Sequence, residues 1–371
     1  GAELRPPPDA QVLGEPTDLD ELAATGLVSA EGVTRARQDL STPLVAPEGD
    51  VAIGPFLRDR LGDEVVDRLI DPLVGGINAG DTSVLSLAAV VPQLDSAARS
   101  GAPSLIEACR AQRAAVADPA APVFYAPRGG MSALVEALRR DAADHGLEVV
   151  AATAVGLERE HAHWRVALEG GRALRADGVV VAAPAGVAAG LLRDHVARAS
   201  TLLAAITYAS VAIVSVAVDR AGVDRDLDGS GYLVPRLEGR TITACSWASS
   251  KWAHLTDEST VWLRASVGRD GDDRALALGD GALASAVLAD LADTMALRGT
   301  PTEVRVSRWP ASLPQYRPGH LERVDAIETE LAARTPTVVV AGAALRGLGV
   351  PACIRQGRAA AAQLATVLAG R

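Results

Sequence analysis

The sequence predicts an α/β fold with added α+β elements: a parallel sheet drawn from separate stretches of chain, an antiparallel sheet and a helical block. Three observations carry that expectation. Short β-branched runs, Val179 to Ala183 and Thr337 to Val340, stand beside proline or glycine and adjoin helical patterns, as strands buried in a parallel sheet do. Residues 208–270 hold short strand-like runs between charged turns, the pattern of antiparallel strands. Between Thr17 and Val116 the apolar residues instead recur at helical spacing, which gives each helix one face for a core.

Taken in order, residues 1–18 are extended pieces broken by Pro6 to Pro8 and Pro16. Thr17 then reads as an N-cap hydroxyl ahead of the acidic first-turn residues Asp18, Asp20 and Glu21. A second helix is expected over 54–74, with Phe56, Leu57, Leu61, Val65, Leu69, Ile70 and Leu73 on one face. Gly75 and Gly76 suit a left-handed stop. The small-residue loop that follows can either cap the helix or bring backbone against a flat ligand. More helix runs to Val116. Strands are expected over 123–127, 148–152, 155–160, 164–168 and 179–183, with a helix opening at Arg128-Gly129-Gly130-Met131. Further strands fall at 210–218, 231–235, 241–247 and 261–267, a helix at 281–297, a strand at 302–309 and a helix at 321–333.

The chain closes with Pro336 to Leu368: a strand, a loop with Gly342, Gly347 and Gly349, and a helix with Pro351 in its first turn. Proline is pre-organised for that position. A glycine loop at a helix start lets backbone approach a cofactor, and the free amides and helix dipole favour negative charge there. The same pattern also makes an ordinary tight turn.

Composition narrows the function. The 371 residues allow two or three domains with a large core, and 49% are apolar. A net charge of −10 argues against a nucleic-acid surface. Cys109, Cys245 and Cys353 lie far apart, with neither metal spacing nor a disulfide framework, so a reducing, cytoplasmic setting fits. His161 and His163 read as solvent-facing hairpin residues. No apolar run reaches the ~20 residues of a membrane span.

Ten stretches in sequence order then resemble one family: GDEVVDRLIDPLVGGINAGD (62–81), LSLAAVVPQL (85–94), FYAPRGGMSALVEAL (124–138), ADGVVVAAPA (176–185), YASVAIVSVAV (208–218), GSGYLVP (229–235), TACSWASSKWAHL (243–255), LRASVGR (263–269), RWPASLPQYRPGH (308–320) and AGAALRGLGVPACIRQGRAAA (341–361). As an ordered set they resemble the protoporphyrinogen and coproporphyrinogen oxidases, flavin enzymes of haem synthesis in the monoamine-oxidase-like superfamily. The SSKW and LPQY…GH stretches look like the bacterial coproporphyrinogen branch. The resemblance implies FAD, a porphyrinogen substrate, dioxygen as acceptor and ferrochelatase as a partner. It implies a discontinuous FAD-binding Rossmann-like domain, an antiparallel-sheet substrate domain and a helical subdomain. The expected boundaries are 1–20 (substrate-domain segment), 21–118 (helical subdomain and substrate-domain edge), 119–200 (FAD segment), 201–310 (substrate sheet) and 311–371 (C-terminal FAD segment). Relatives open with a strand, a GxGxxG turn and a helix that hold the FAD pyrophosphate, a unit of ~30 residues. No GxGxxG occurs here. The expectation is therefore an N-terminally incomplete chain lacking the first βαβ unit.

Carried over residue by residue, the resemblance places the backbone of Val155 at the adenine and Trp309 beside the isoalloxazine. It sets Gly349, Val350, Pro351 and Ala352 against the flavin. Gly76, Tyr232 and Trp247 become candidate substrate walls and Lys251 a candidate carboxylate partner. Read from residue type alone, Val155 and Trp309 are equally core fillers and Lys251 a solvated turn residue. Gln315, Tyr316 and His320 are expected to support the fold. The implied reaction is hydride transfer from the macrocycle to flavin N5, with reoxidation by dioxygen to hydrogen peroxide. It demands no catalytic side chain and no metal. Two rivals stay open: another flavin amine oxidase or desaturase, which the scarcity of aromatics (3%) disfavours, and a non-catalytic tetrapyrrole-binding fragment.

Overall fold

The computed structural model describes residues 3–116 and 125–370. The chain divides into two compact units. One comprises Gly1–Ala115, Ala204–Ala326 and Gly342–Gln356, and the other Val116–Leu203, Ile327–Ala341 and Gly357–Arg371.

In the first unit the chain opens with a helical block. Its first helix is Leu19–Thr25, and the N-cap is Asp18 rather than Thr17: the Asp18 carboxylate accepts from the amides of Asp20 and Glu21. Both residue types cap well, but Thr17 is buried and its amide is spent on the Ala10 carbonyl. Ala30–Arg37 adds a helix that the sequence reading did not isolate. The block closes around Leu22, Ile53, Leu57, Leu61, Ile70, Leu87, Leu94, Leu105 and Ile106, all fully buried. A buried Arg60–Asp39 ion pair ties it together. Asp39 also accepts from the Ile106 amide, and Arg60 donates to the carbonyls of Thr42 and Pro43.

The helix expected over 54–74 is not continuous. Ile53–Leu61 stops at Gly62 (φ 87°), helix resumes at Asp63–Val65, widens into a π-helix over Val66–Gly75 and ends with Gly76–Asn78. Pro72 lies inside the wide stretch; it cannot donate to the preceding turn, and a wider turn accommodates that loss. Gly75 and Gly76 are therefore ordinary right-handed helical residues, and the left-handed stop falls on Ala79 (φ 44°). A Cβ at 75 would sit 3.1 Å from the Gly80 carbonyl oxygen, a close approach that glycine relieves.

The antiparallel sheet has five strands, in the order Glu303–Pro314, Tyr208–Asp219, Thr260–Val267, Ile242–Trp247, Gly231–Leu233. Helix Asp280–Thr294 packs on one face through Leu283, Val287 and Leu291. Those residues meet Ala212, Val214, Val216 and Val218 from one strand and Val261, Leu263, Ala265 and Val267 from the next. The strand expected to end at Trp309 continues to Pro314 through an irregularity between Trp309 and Leu313, where Ala311 takes φ 43°.

The second unit holds a three-stranded meander, Ala154–Glu160, His163–Leu168 and Ala173–Ala176. It also holds a parallel pair, Val179–Val181 with Val338–Val340. That pair joins segments far apart in sequence, as the returning C-terminal strand required. Trp164 is buried, donates to the Thr337 hydroxyl at 3.0 Å and meets the His195 ring edge-on. Three expectations change. Val123 and Phe124 lie outside the described residues, and Tyr125–Pro127 are not in a strand. Residues 148–152 are irregular, with Val149 exposed: β-branched composition signals a strand only where a partner supplies the ladder. Val179–Val181 is not buried on both faces, since Val180 is 39% exposed and Val181 buried. Among the described residues no helix is long and apolar enough to cross a membrane.

Candidate functional site

The glycine loop after Val340 is held from below. Gly342 (φ 128°) and Gly347 (φ 119°) adopt backbone that favours glycine. Between them the Tyr316 hydroxyl donates to the Ala343 carbonyl and accepts from the Gly347 amide at 3.0 Å. The Tyr316 ring stacks on His320, with centroids 3.9 Å apart. His320 is fully buried, and its Nε2 lies 2.7 Å from the Leu345 carbonyl. A carbonyl only accepts, so Nε2 carries the proton. Burial, the largest cause, lowers the His320 pKa, so the ring is held neutral. An Arg346–Asp325 ion pair and Gln356, which bonds the Arg346 amide, complete the loop's support.

Helix Val350–Ala369 starts directly from this loop. The Cys353 amide bonds back to the Gly349 carbonyl at 3.0 Å, so Val350, Pro351 and Ala352 form the first turn, ahead of that intrahelical bond. Val350 and Ile354 are exposed, at 47% and 42%. An exposed apolar surface at the positive end of a 20-residue helix fits a flat, electron-accepting group that gains negative charge.

Gln315 links a second loop to this support: its side-chain amide donates to the Asn78 carbonyl at 3.0 Å. Asp50 accepts from the Gly319 amide and from Ser86. The 75–81 loop is further fixed by Asp71, buried and bonded to Thr82, and by Arg236, which donates to Asp71 and to the Gly80 carbonyl. Arg269 stands beside this pair, its pKa lowered first by burial and then by the Arg236 charge.

The sheet decides which candidate residues share a face. Side chains alternate along a strand. Tyr232 lies on the side covered by Asp280–Thr294, where its hydroxyl bonds Thr294 Oγ1 at 2.6 Å and its ring centroid is 6.3 Å from that of Trp247. Trp247 is on the same side, donating from Nε1 to Met295 Sδ at 3.2 Å. Leu233, one residue on, turns to the second face and is 40% exposed; a Cβ on Gly76 would meet its Cδ2 at 3.5 Å. Trp309 pairs with Val211 on that second face and is 55% exposed, so it is no core filler. Lys251 is exposed in the short helix Ala248–Lys251, with Nζ 5.5 Å from the Trp252 ring centroid. Val155 belongs to the other unit and is 60% exposed.

Gly76 and Leu233 are thus brought together, while Tyr232 and Trp247 lie behind the sheet. The signal for Leu233 was the period-two alternation in Gly231-Tyr232-Leu233. Reading it required knowing which face the helix covers. No group of metal-ligating side chains occurs among the described residues.

Residues 9–365 match the family of flavin containing amine oxidoreductases, and the chain belongs to that family. It is therefore a member of a flavin-dependent oxidoreductase class, with FAD as the cofactor the family implies. Within that class the chain is 34% identical to the coproporphyrinogen III oxidase of Bacillus subtilis (strain 168), over 98% of this chain and 78% of that protein. It is 37% identical to that of Mycobacterium leprae (strain TN), over 94% of this chain and 74% of that protein. A crystal structure of a protein from Exiguobacterium sp. 255-15 superposes with a TM-score of 0.82 at 31% identity, over 99% of this chain and 78% of that one.

Proposed function

We propose that this protein oxidises a porphyrinogen in haem biosynthesis, with coproporphyrinogen III as the first candidate and protoporphyrinogen IX as the second. Dioxygen is the acceptor and hydrogen peroxide the by-product. The observation that carries this reading is the similarity to coproporphyrinogen III oxidases along nearly the whole chain. Bound FAD supplies the hydride acceptor. Gly349, Val350, Pro351 and Ala352 would hold its isoalloxazine at the helix start, where the helix dipole favours the charge of the reduced state. Trp309 would lie beside the ring, and the Val155 backbone would meet the adenine.

On the substrate side, Gly76 and Leu233 would line an apolar wall, and Lys251 would pair with a carboxylate. Tyr232 and Trp247 would act from behind, by fixing the strands that present the second face. The chain's work is orientation, exclusion of water and electrostatics, so the reaction needs no side-chain nucleophile. We further propose a cytoplasmic setting, with ferrochelatase as the partner downstream of the product.

The test begins with the visible spectrum of the purified protein after gel filtration. Chemically reduced coproporphyrinogen III is then supplied in air. The expected result is a retained flavin band and porphyrin fluorescence rising with peroxide release, faster than with heat-denatured protein. Oxidation of amines without porphyrin formation would place the chain with the amine oxidases. Tight porphyrin binding without turnover would make it a scaffold.

A further inference from the structure

We propose that Arg264, seconded by Arg305, reads a carboxylate arm of the substrate and makes the reaction selective for the more carboxylated porphyrinogen. The proposal rests on the porphyrinogen reading above. Strand register places one row across the second face of the sheet. Arg264 pairs with Ser215 on one side and Ser246 on the other; Ser215 pairs with Arg305, and Ser246 with Gly231. The row is therefore arginine, serine, arginine, serine, glycine. The two arginines stand two strand spacings apart, ~10 Å between their backbones. Between them in the row stands only Ser215.

The space above that row is a cavity of ≈ 250 Å³, lined by Ser215, Trp262, Arg264, Glu303, Arg305 and Leu255 among others. Its charged groups are unequal. Arg305 faces Glu303 at 3.6 Å, a loose and exposed pair. Arg264 is exposed and has no hydrogen-bond or ion-pair partner among the described residues. Arg308, Arg317 and Arg236 of the same unit are engaged with Asp280, Asp270 and Asp71; what sets Arg264 apart from the unit's other unengaged arginines is that it lines this cavity beside a second arginine.

A solvated sheet face would account for one free arginine if the face were polar throughout, but it is not. Rows on either side carry Trp262, Ile213, Leu233 and Trp309, partly or largely exposed. A face that mixes apolar side chains with serines and holds an unpaired guanidinium in a cavity is matched by a large apolar ligand rimmed with carboxylates. The spacing agrees: Trp309, proposed to lie beside the flavin, is four residues along the strand from Arg305, ~13 Å at strand rise. Coproporphyrinogen III carries a propionate on every pyrrole, whereas protoporphyrinogen IX has exchanged part of them for vinyl groups. A guanidinium that meets a pyrrole carrying propionate in the first and vinyl in the second favours the first. Arg264 is a specificity residue, since it touches the substrate away from the bond that changes.

The test compares FAD-loaded wild type, Arg264→Gln, Arg264→Lys and Arg305→Gln with both porphyrinogens, and titrates coproporphyrin III against each by fluorescence. Loss of a charge-assisted hydrogen bond lowers kcat/KM for coproporphyrinogen III on the order of 10- to 100-fold in Arg264→Gln, chiefly through KM, and by less than about threefold for protoporphyrinogen IX. Arg264→Lys falls between, and Arg305→Gln loses less than Arg264→Gln. Flavin content stays at the wild-type level, because Arg264 is exposed. Equal losses with both substrates, or no loss, overturn the proposal. If wild type oxidises neither porphyrinogen, the proposed reaction falls and the titration decides for Arg264 alone. Affinity for coproporphyrin III that drops in Arg264→Gln supports it; equal affinity, or no binding by wild type, overturns it.

Discussion

Glu15 is the residue whose environment differs most from what its type suggests. It is fully buried, and its Oε2 accepts from the Cys109 thiol at 3.1 Å. Its Oε1 has no partner among the described residues. Arg60, whose charge acts on Glu15, is already committed to Asp39. Desolvation, the largest cause, pushes the Glu15 pKa up to about 8, and the same burial with the Glu15 charge raises that of the Cys109 thiol. At neutral pH Glu15 is therefore a neutral acid. The unfolded chain binds that proton only below its ordinary pKa of 4.5, so the folded state holds more protons between 4.5 and about 8. Stability from this group is full below pH 4.5 and is lost as pH rises through 8, by a few kcal/mol at most. Glu15→Gln keeps the shape without the titration. Its urea midpoint relative to wild type should rise between pH 5 and pH 9, and a constant difference across that range would refute the assignment. Nothing in the sequence marks this residue, because residues 1–18 read only as extended pieces broken by prolines, and its burial follows from the helical block folded around it.

At the scale of elements, the LPQY…GH segment shows what a motif can and cannot say. The expectation for this segment is support rather than proton chemistry, and the structure supplies the means: Tyr316 bridges Ala343 and Gly347, and the neutral His320 holds Leu345. Tyr316→Phe leaves the half-buried Ala343 carbonyl and Gly347 amide short of a partner, at a cost of roughly 1 kcal/mol. The expected outcome is a lowered Tm and a lower flavin-to-protein absorbance ratio with unchanged far-UV dichroism; wild-type flavin retention would mean that the loop does not depend on this clamp. Gly231 makes a sharper test. It has φ 137°, and a Cβ there would fall 2.1 Å from the Cys245 carbonyl oxygen. Gly231→Ala should detach the edge strand and destabilise by more than about 3 kcal/mol, which thermal melts and soluble yield would register. Long periodic elements were legible, including Tyr208–Asp219 and Val350–Ala369. Local exceptions were not. Pro72 turned an expected α-helix into a wide one, residues 148–152 had strand composition but no strand, and the faces of Tyr232 and Leu233 became known only with the position of Asp280–Thr294. Arg264 lies in a stretch already singled out, yet its vacancy of partners depends on serines from two other strands.

At the scale of the whole molecule the two units are unequally consolidated. The first contains the fully buried helical core and the helix-backed sheet. In the second, helix Met131–Asp144 has no buried residue. Met131, Val135 and Leu138, which share one helical face, are 46%, 54% and 53% exposed, and Leu147, Val149, Val155 and Leu174 are exposed as well. Its parallel pair buries Val181, Val338 and Val339, and Val339 clusters with Ala341 and Ala360, with Leu364 packed against them. Stability comes from apolar area removed from water, so the second unit should open at lower temperature than the first, and unfolding should not be two-state. Tryptophan positions allow this to be read directly. Trp164 is in the second unit, while Trp247, Trp252, Trp262 and Trp309 are in the first. A variant keeping Trp164 alone, with the other four changed to Phe, reports the second unit by fluorescence, while far-UV dichroism follows both. The expected result is a Trp164 transition several degrees below the main loss of secondary structure, accompanied by binding of a hydrophobic dye. Adding FAD should move the Trp164 transition upward if the Val155 contact is real, since a ligand stabilises the folded state it binds. Trp164→Phe in the otherwise native chain is the control: its main transition should match wild type in fluorescence from the remaining tryptophans. Coincident transitions by every probe would refute separate unfolding of the second unit.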